Sequence, residues 1–295
     1  MSPAAVPTNR RAAHAGTFYP SEAGALLGLV DGLLGNVPRQ VRPISAHAVL
    51  GVLVPHAGLE SSGFVAAAGW ALLATIHPTT IVVLGTDHAG RAMGASVWTD
   101  GPWSGPLGDV LVDRGLAERI VALGPPFRAD NAAHEQEHSI EVQMPFIARA
   151  CPGARIVPML VGAARPGVAE VAGAWLGRIV ADLRADGERV VLVASSDLAH
   201  YPPVSVAREI DRRVIEPILR LDGNELLRVE TEIRASGEPG VSCGMCGLDA
   251  VRCMLAAVEE GGATHGSLLA EGTSANRPGS DPDRTVGYAA IAFEY

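Results

Sequence analysis

Short apolar runs rich in β-branched residues alternate along the chain with longer stretches whose apolar positions recur three and four residues apart. The first pattern predicts strands at Ala48–Val54, Thr80–Leu84, Ala95–Trp98, Arg155–Leu160, Val190–Ala194 and Gly287–Phe293. The second predicts helices over Leu26–Leu34, Ser61–Ala74, Val110–Ala122, Ser139–Ala150, Gly167–Ala185, Ser205–Leu221, Gly223–Glu232 and Gly247–Glu260. Strands alternating with helices imply an α/β fold, a central mixed and largely parallel sheet flanked by helices. No repeat is present, and Gly and Pro fall as punctuation rather than as a linker, so one domain over 1–295 is expected. The stretch Thr273–Arg284 reads as a turn-rich loop before a closing strand.

Composition narrows the function. The 295 residues are 48% hydrophobic but only 4% aromatic, which describes an aliphatic core, and the net charge of -9 argues against nucleic acid or an anionic membrane as partner. All 23 basic residues are Arg. Without Lys the chain can form no lysine Schiff base, tether no pyridoxal phosphate and build no P-loop. Four Cys, at 151, 243, 246 and 253, are too few for a disulfide framework and fit a reducing cytosol. Met1–Arg11 lacks a charged-then-apolar signal pattern, and no apolar run stands out as a bilayer span of roughly 18 residues. The expectation is a cytoplasmic protein.

Chemistry enters where strands end. Three predicted strands run directly into a His: Val54 into Pro55-His56, Leu84 into Gly85-Thr86-Asp87-His88, and Ala194 into Ser195-Ser196-Asp197-Leu198-Ala199-His200. Loops at the carboxyl ends of parallel strands converge on the ligand crevice of an open α/β sheet, so these residues are expected near one another. Neutral imidazole is the commonest metal ligand, and an unligated His can carry protons near neutral pH. Cys243 and Cys246 form a C-x-x-C at a predicted helix start. It reads as a redox pair, as half of a zinc site, or, the reading favoured here, as one ligand Cys beside a neighbour. His134-Glu135-Gln136-Glu137-His138 matches the H-E-x-x-H zinc-peptidase pattern, but it follows a loop-like stretch and precedes the helical period. His138 is better read as a loop His reaching the crevice.

Nine ordered segments resemble the Memo family, whose bacterial and archaeal members are called AmmeMemoRadiSam system protein B. They are HAGTFYP (from His14), VPHAGLESSG (from Val54), LGTDHAG (from Leu84), GPLGDVLVD (from Gly105), EHSIEVQMPF (from Glu137), IVPMLVG (from Ile156), SSDLAHY (from Ser195), SCG (from Ser242) and VGYAAIAF (from Val286). The resemblance implies a fold like that of the class III extradiol dioxygenases, with His56, His88 and Cys243 as metal ligands. Asp197 and His200 would line the same pocket, His200 as acid/base, and His14 and His138 would stand nearby. Cys243 would replace the carboxylate of the dioxygenases, and a thiolate favours softer ions. One transition-metal ion is expected, iron or copper first and zinc possible. The implied function is a metal-dependent redox enzyme acting on O₂ or a small-molecule substrate. The alternatives are a copper- or iron-handling adaptor without turnover and, third, a zinc peptidase. The family name further implies AMMECR1-type and radical S-adenosylmethionine proteins as partners.

Overall fold

The computed structural model describes residues 8–37, 44–45, 48–162 and 166–295. The first seven residues of the segment read above for a signal pattern lie outside them. Among the described residues an eight-stranded sheet runs through the molecule. Its strands are β1 (Val49–Val54), β2 (Thr80–Thr86), β3 (Ala95–Val97), β6 (Phe127–Ala129), β7 (Arg155–Val161), β8 (Val190–Ser195), β9 (His265–Thr273) and β10 (Gly287–Glu294). A two-stranded ribbon, β4 (Trp103–Gly105) with β5 (Gly108–Val110), stands apart. The order β6-β3-β7-β2-β8-β1-β10-β9 puts four parallel strands, β7, β2, β8 and β1, at the centre. The flanks are mixed, because β3 joins β7 and β10 joins β1 antiparallel.

β1, β2, β8 and β10 are buried along their whole length and β7 beyond its exposed first residue, as the continuous apolar runs of the sequence require of a sheet covered on both faces. Alternate residues feed two cores. Val190, Leu192 and Ala194 of β8 pack with helices α6 (Val168–Ala185) and α9 (Leu248–Glu260), and α7 (Val204–Leu219) and α8 (Gly223–Ala235) complete that layer. Val191 and Val193 face α1 (Ala23–Gly35), α2 (Leu59–Ile76) and α5 (Met144–Ala150). Side-chain caps start several helices: Asp113 accepts from Leu116 N–H at 3.0 Å ahead of α3 (Arg114–Val121), and Asp222 accepts from Glu225 N–H at 2.9 Å ahead of α8.

Some expected elements differ. The helix expected from Val110 begins only at Arg114, since Val110 closes the ribbon. The helix expected from Ser139 starts with a 3₁₀ turn at Glu141–Gln143 and becomes α-helical at Met144. Strands β4, β5 and β6 have three residues each, too few for a periodic signal, and β9 is a half-exposed edge strand containing Gly266 and Gly272. α2 has 18 residues of mean hydropathy 1.4, long and apolar enough to cross a membrane by length and composition, contrary to expectation. Its apolar surface is instead covered, packing on β1, β9, β10, α1 and α5.

Helices α6 and α9 approach closely because Gly173 and Gly177 leave room for the α9 backbone. A Cβ on Gly173 would stand 2.3 Å from the Cys253 carbonyl oxygen. Gly173→Leu is therefore expected to cost about 1–3 kcal/mol by overpacking. Gly28, in exposed α1, has nothing within 4 Å of an added methyl, so Gly28→Ala is expected to stabilise by about 0.5–1 kcal/mol. Urea midpoints of the two variants, moving in opposite directions, check both statements.

Candidate metal centre

The carboxyl ends of β2, β8 and β1, neighbours in the sheet, deliver His88, Asp197 and His56 to one place. Asp197 joins the strand ends through its carboxylate. Its Oδ1 accepts from the N–H groups of His56 at 2.7 Å and Ala57 at 3.1 Å, so the turn after β1 is pinned to the turn after β8. Burial raises the Asp197 carboxyl above its usual range, partly offset by the His200 charge and these N–H donors.

A third imidazole comes from the loop between α4 (Asn131–His134) and the 3₁₀ turn. The 137–139 turn lies directly on the end of β2, where a Cβ on Gly85 would sit 2.4 Å from Ile140, so only glycine admits the contact. Ser139 fastens it, its hydroxyl donating to the Thr86 carbonyl at 2.9 Å and its carbonyl accepting from Ser195 Oγ at 2.7 Å. As a result His56, His88 and His138 offer ring nitrogens within 4.8 Å of one another, which among the described residues is the cluster able to hold a metal ion. The His88 and His138 rings stack at 4.4 Å, and each meets His56 edge-on at 5.2 and 5.3 Å.

Hydrogen bonds fix which nitrogens are free. Glu137 Oε1 accepts from His88 Nδ1 at 2.9 Å and Oε2 from the His88 backbone N–H at 2.9 Å, leaving His88 Nε2 with its lone pair. His56 Nδ1 faces Ser195 Oγ at 3.0 Å. That hydroxyl spends its hydrogen on Ser139, so Nδ1 is the protonated nitrogen and Nε2 carries the lone pair. A carboxylate or hydroxyl behind a ligand imidazole is the usual means of orienting it.

The electrostatics separate the three rings. Burial and the neighbouring His88 push the His56 imidazole down to about 3, and burial with His56 and His88 does the same for His138, also to about 3. Both are neutral at pH 7. At His88 burial acts in the same sense, but the hydrogen bond and charge of Glu137, with Asp197 and Asp87, outweigh it and raise the ring above its ordinary value. Glu137 is in turn held well below the carboxylate range, because the His88 contacts and the Ser139 N–H overcome its burial.

The other expected residues lie around this cluster. His200 sits behind Asp197, Nε2 to Oδ2 at 4.0 Å, and that buried nitrogen has no hydrogen-bond partner among the described residues. Burial lowers its pKa against the pull of Asp197. The backbone N–H of His200 donates to the Cys243 carbonyl at 3.1 Å. Cys243 is buried, its thiol pushed up to about 12 by desolvation and the charge of Glu230, and its sulfur is not in the three-imidazole cluster. His14 meets His138 edge-on at 5.6 Å, and Phe18 lies 4.4 Å from the His138 ring. His134 turns away into a fully buried niche beside Trp98 and Trp103, donating from Nε2 to the Ser96 carbonyl at 3.0 Å. The H-E-x-x-H match is thus split between a four-residue helix and a loop. Residues not singled out from the sequence are Glu137, Ser195 and Glu230. Glu137 and Ser195 each carried a signal, as the residues that open the EHSIEVQMPF and SSDLAHY segments, and Glu230 carried none.

The sequence matches the Memo-like protein family over residues 10–292. The chain belongs to the Memo-like family. It is 36% identical over 292 residues to a MEMO1 family protein of Caldivirga maquilingensis, covering 96% of this chain and 98% of that one. It is also 36% identical to a MEMO1 family protein of Methanosarcina barkeri over 286 residues, 97% and 100% of the two chains. Among solved structures, the crystal structure of uncharacterized protein JW3007 from Escherichia coli K12 superposes with a TM-score of 0.54 at 17% identity. That superposition covers 81% of this chain and 98% of the other, and it supports the fold alone.

Proton NMR of the metal-free chain tests the electrostatics. His88 is expected to titrate above its ordinary value near 6.5, and Glu137→Gln to bring it back down, while His56 and His138 stay neutral from pH 5 to 8. The His88–Glu137 pair should contribute its full stability between about 4.5 and about 6.5, losing it as pH rises through the raised folded-state value of His88 and as pH falls toward the depressed one of Glu137.

Proposed function

We propose that this member of the family is a metal-dependent redox enzyme whose His56, His88 and His138 hold one transition-metal ion. The observation that carries the reading is the set of three ring nitrogens within 4.8 Å, two of them on imidazoles held neutral at pH 7. The donor set fits such an ion, since borderline metals favour imidazole and hard Mg²⁺ or Ca²⁺ favour oxygen. Iron or copper comes first and zinc second, with a thiol of the Ser242–Gly247 turn beside the imidazoles. Bound iron or copper would supply one-electron chemistry toward O₂ or a small substrate.

The protein's own groups then have separate tasks. Glu137 and Ser195 orient the ligand rings. His200 is the proton carrier, because its Nε2 is buried and unpartnered and Asp197 stands 4.0 Å away to stabilise the charge it gains. His56 is buried but His88 is exposed, so the centre opens to solvent on the His88 side, where a small substrate or O₂ would approach.

Single replacements His56→Ala, His88→Ala and His138→Ala are each expected to remove most bound metal, measured by elemental analysis of protein purified anaerobically. His134→Ala should retain it, because that ring lies outside the cluster. His200→Ala is expected to keep the metal and lose O₂ uptake or product formation, with Asp197→Asn losing less. Metal retained with no turnover by the unsubstituted chain across small reductants would instead favour a metal-handling adaptor for AMMECR1-type or radical S-adenosylmethionine partners. Metal bound after His56→Ala but lost after His134→Ala would restore the peptidase reading.

A further inference from the structure

Among the described residues three that are not glycine have a positive φ: His77, Tyr201 and Leu221. Two of them need no further reason. His77 closes α2 and Leu221 follows the last turn of α7, where left-handed backbone is a common way to end a helix. Tyr201 ends no helix. It stands between β8 and α7 with φ 73° and precedes Pro202, whereas an L side chain disfavours left-handed backbone and a following proline favours an extended one.

The surroundings impose that conformation. The Tyr201 N–H donates to the Thr285 carbonyl at 2.7 Å, and the Thr285 N–H and hydroxyl both donate to the Pro202 carbonyl at 2.9 Å. The Val204 N–H donates to the Pro282 carbonyl at 2.8 Å, so the segment before α7 is stitched to the segment before β10. The ring held this way is no part of the core, being 40% exposed. It meets His200 edge-on with ring centroids 5.3 Å apart, and the Arg284 guanidinium lies over it at 4.4 Å. Arg284 makes no ion pair or side-chain hydrogen bond among the described residues, in a chain whose net charge is -9.

A strained backbone, fixed by hydrogen bonds and carrying an exposed ring beside a buried, unpartnered imidazole nitrogen, points to a contact with something outside the chain. The chemistry of the pair says what that is. A guanidinium free of acidic partners offers a carboxylate two parallel N–H donors, and the exposed part of the ring offers apolar surface to the rest of the molecule.

We propose that Tyr201 and Arg284 form the substrate-contacting wall beside His200 and that the substrate is a small organic carboxylate, its charge held by Arg284 and its carbon skeleton by Tyr201. This rests on the reading of His200 as proton carrier, but the binding that tests it requires neither metal nor turnover.

Benzoate and its uncharged counterpart benzamide are the probes. Each is titrated into the full chain, stripped of metal, while proton NMR follows the ring resonances of Tyr201 and His200, assigned from Tyr201→Phe and His200→Gln. Benzoate is expected to shift both rings saturably, and benzamide to bind about tenfold more weakly. Arg284→Gln is expected to weaken benzoate about tenfold to a hundredfold, the usual range for a charge-assisted hydrogen bond, and to leave benzamide unchanged. Arg208→Gln, at an exposed arginine of α7, should alter neither. Tyr201→Asn, which tolerates left-handed backbone, is expected to keep or raise the urea midpoint and still weaken benzoate about tenfold. A falling midpoint with benzoate affinity unchanged would make Tyr201 a structural residue and overturn the proposal. So would the absence of a saturable shift, equal affinity for the two probes, or benzoate binding indifferent to Arg284→Gln. If benzoate binds as expected and the metal-loaded chain turns nothing over, the redox reading falls and the carboxylate site stands.

Discussion

A buried ion pair between Arg10 and Glu141 holds together the part of the molecule on which the site depends. Both side chains are almost wholly buried, and every remaining polar edge is used. The guanidinium donates to the carbonyls of His134 at 3.1 Å and Glu137 at 2.8 Å, and lies over the Trp103 ring at 4.5 Å. The carboxylate accepts from the N–H groups of Ala13 and His14 and from the Tyr19 hydroxyl at 2.6 Å. A buried pair contributes little over a well-packed apolar substitute, but removing one partner costs about 3–5 kcal/mol because the other charge is stranded. What this pair supplies is position. It ties the N-terminal segment, which brings His14 and Phe18, to the loop that brings Glu137 and His138.

Around that clasp the centre is built on a contrast between rigid strands and fastened turns. β2, β8 and β1 fix where their turns begin, and short polar side chains fix how the turns end. Ser139, Ser195 and Asp197 each join two segments distant in sequence. The electrostatic result is one imidazole poised to hold a proton and two that are not. Glu137 makes that difference, since its carboxylate is hydrogen-bonded to the backbone and ring of His88.

What was legible in the sequence follows from what leaves a periodic trace. Fully buried strands and two-sided helices do, and the ends of β1, β2 and β8 could be read as the places where His56, His88 and His200 meet, although His200 stands behind Asp197 rather than in the cluster. The three-residue strands β4, β5 and β6 do not, nor does β9, where glycines and exposure dilute the alternation. α2 shows the opposite failure, because a helix covered on most sides has the composition of a membrane span. His138 could be placed in the crevice by its position before a helix, yet the groups that orient the rings could not. Glu137, Ser195 and Glu230 act through contacts between residues 49, 139 and 14 positions apart, and separations of that kind have no period. The C-x-x-C spacing located the thiols but not the carboxylate of Glu230, which holds their turn through the N–H groups of Gly244 and Met245.

The parallel order at the middle of the sheet has a consequence for how the chain acquires its chemistry. His56 comes from the crossover between β1 and β2, His88 and His138 from the start and the later part of the long connection between β2 and β7, and the turn carrying the thiols follows some fifty residues after β8, braced by α8; His200 is bridged to Val286 near the last strand. Contacts of such long range form late in folding, after the entropy of closing the intervening loops has been overcome. During synthesis the early histidines therefore emerge without their companions, and a chain lacking its final strand lacks the brace on which His200 rests. The close set of three imidazoles is therefore a property of the finished fold, and its geometry distinguishes complete molecules from incomplete ones.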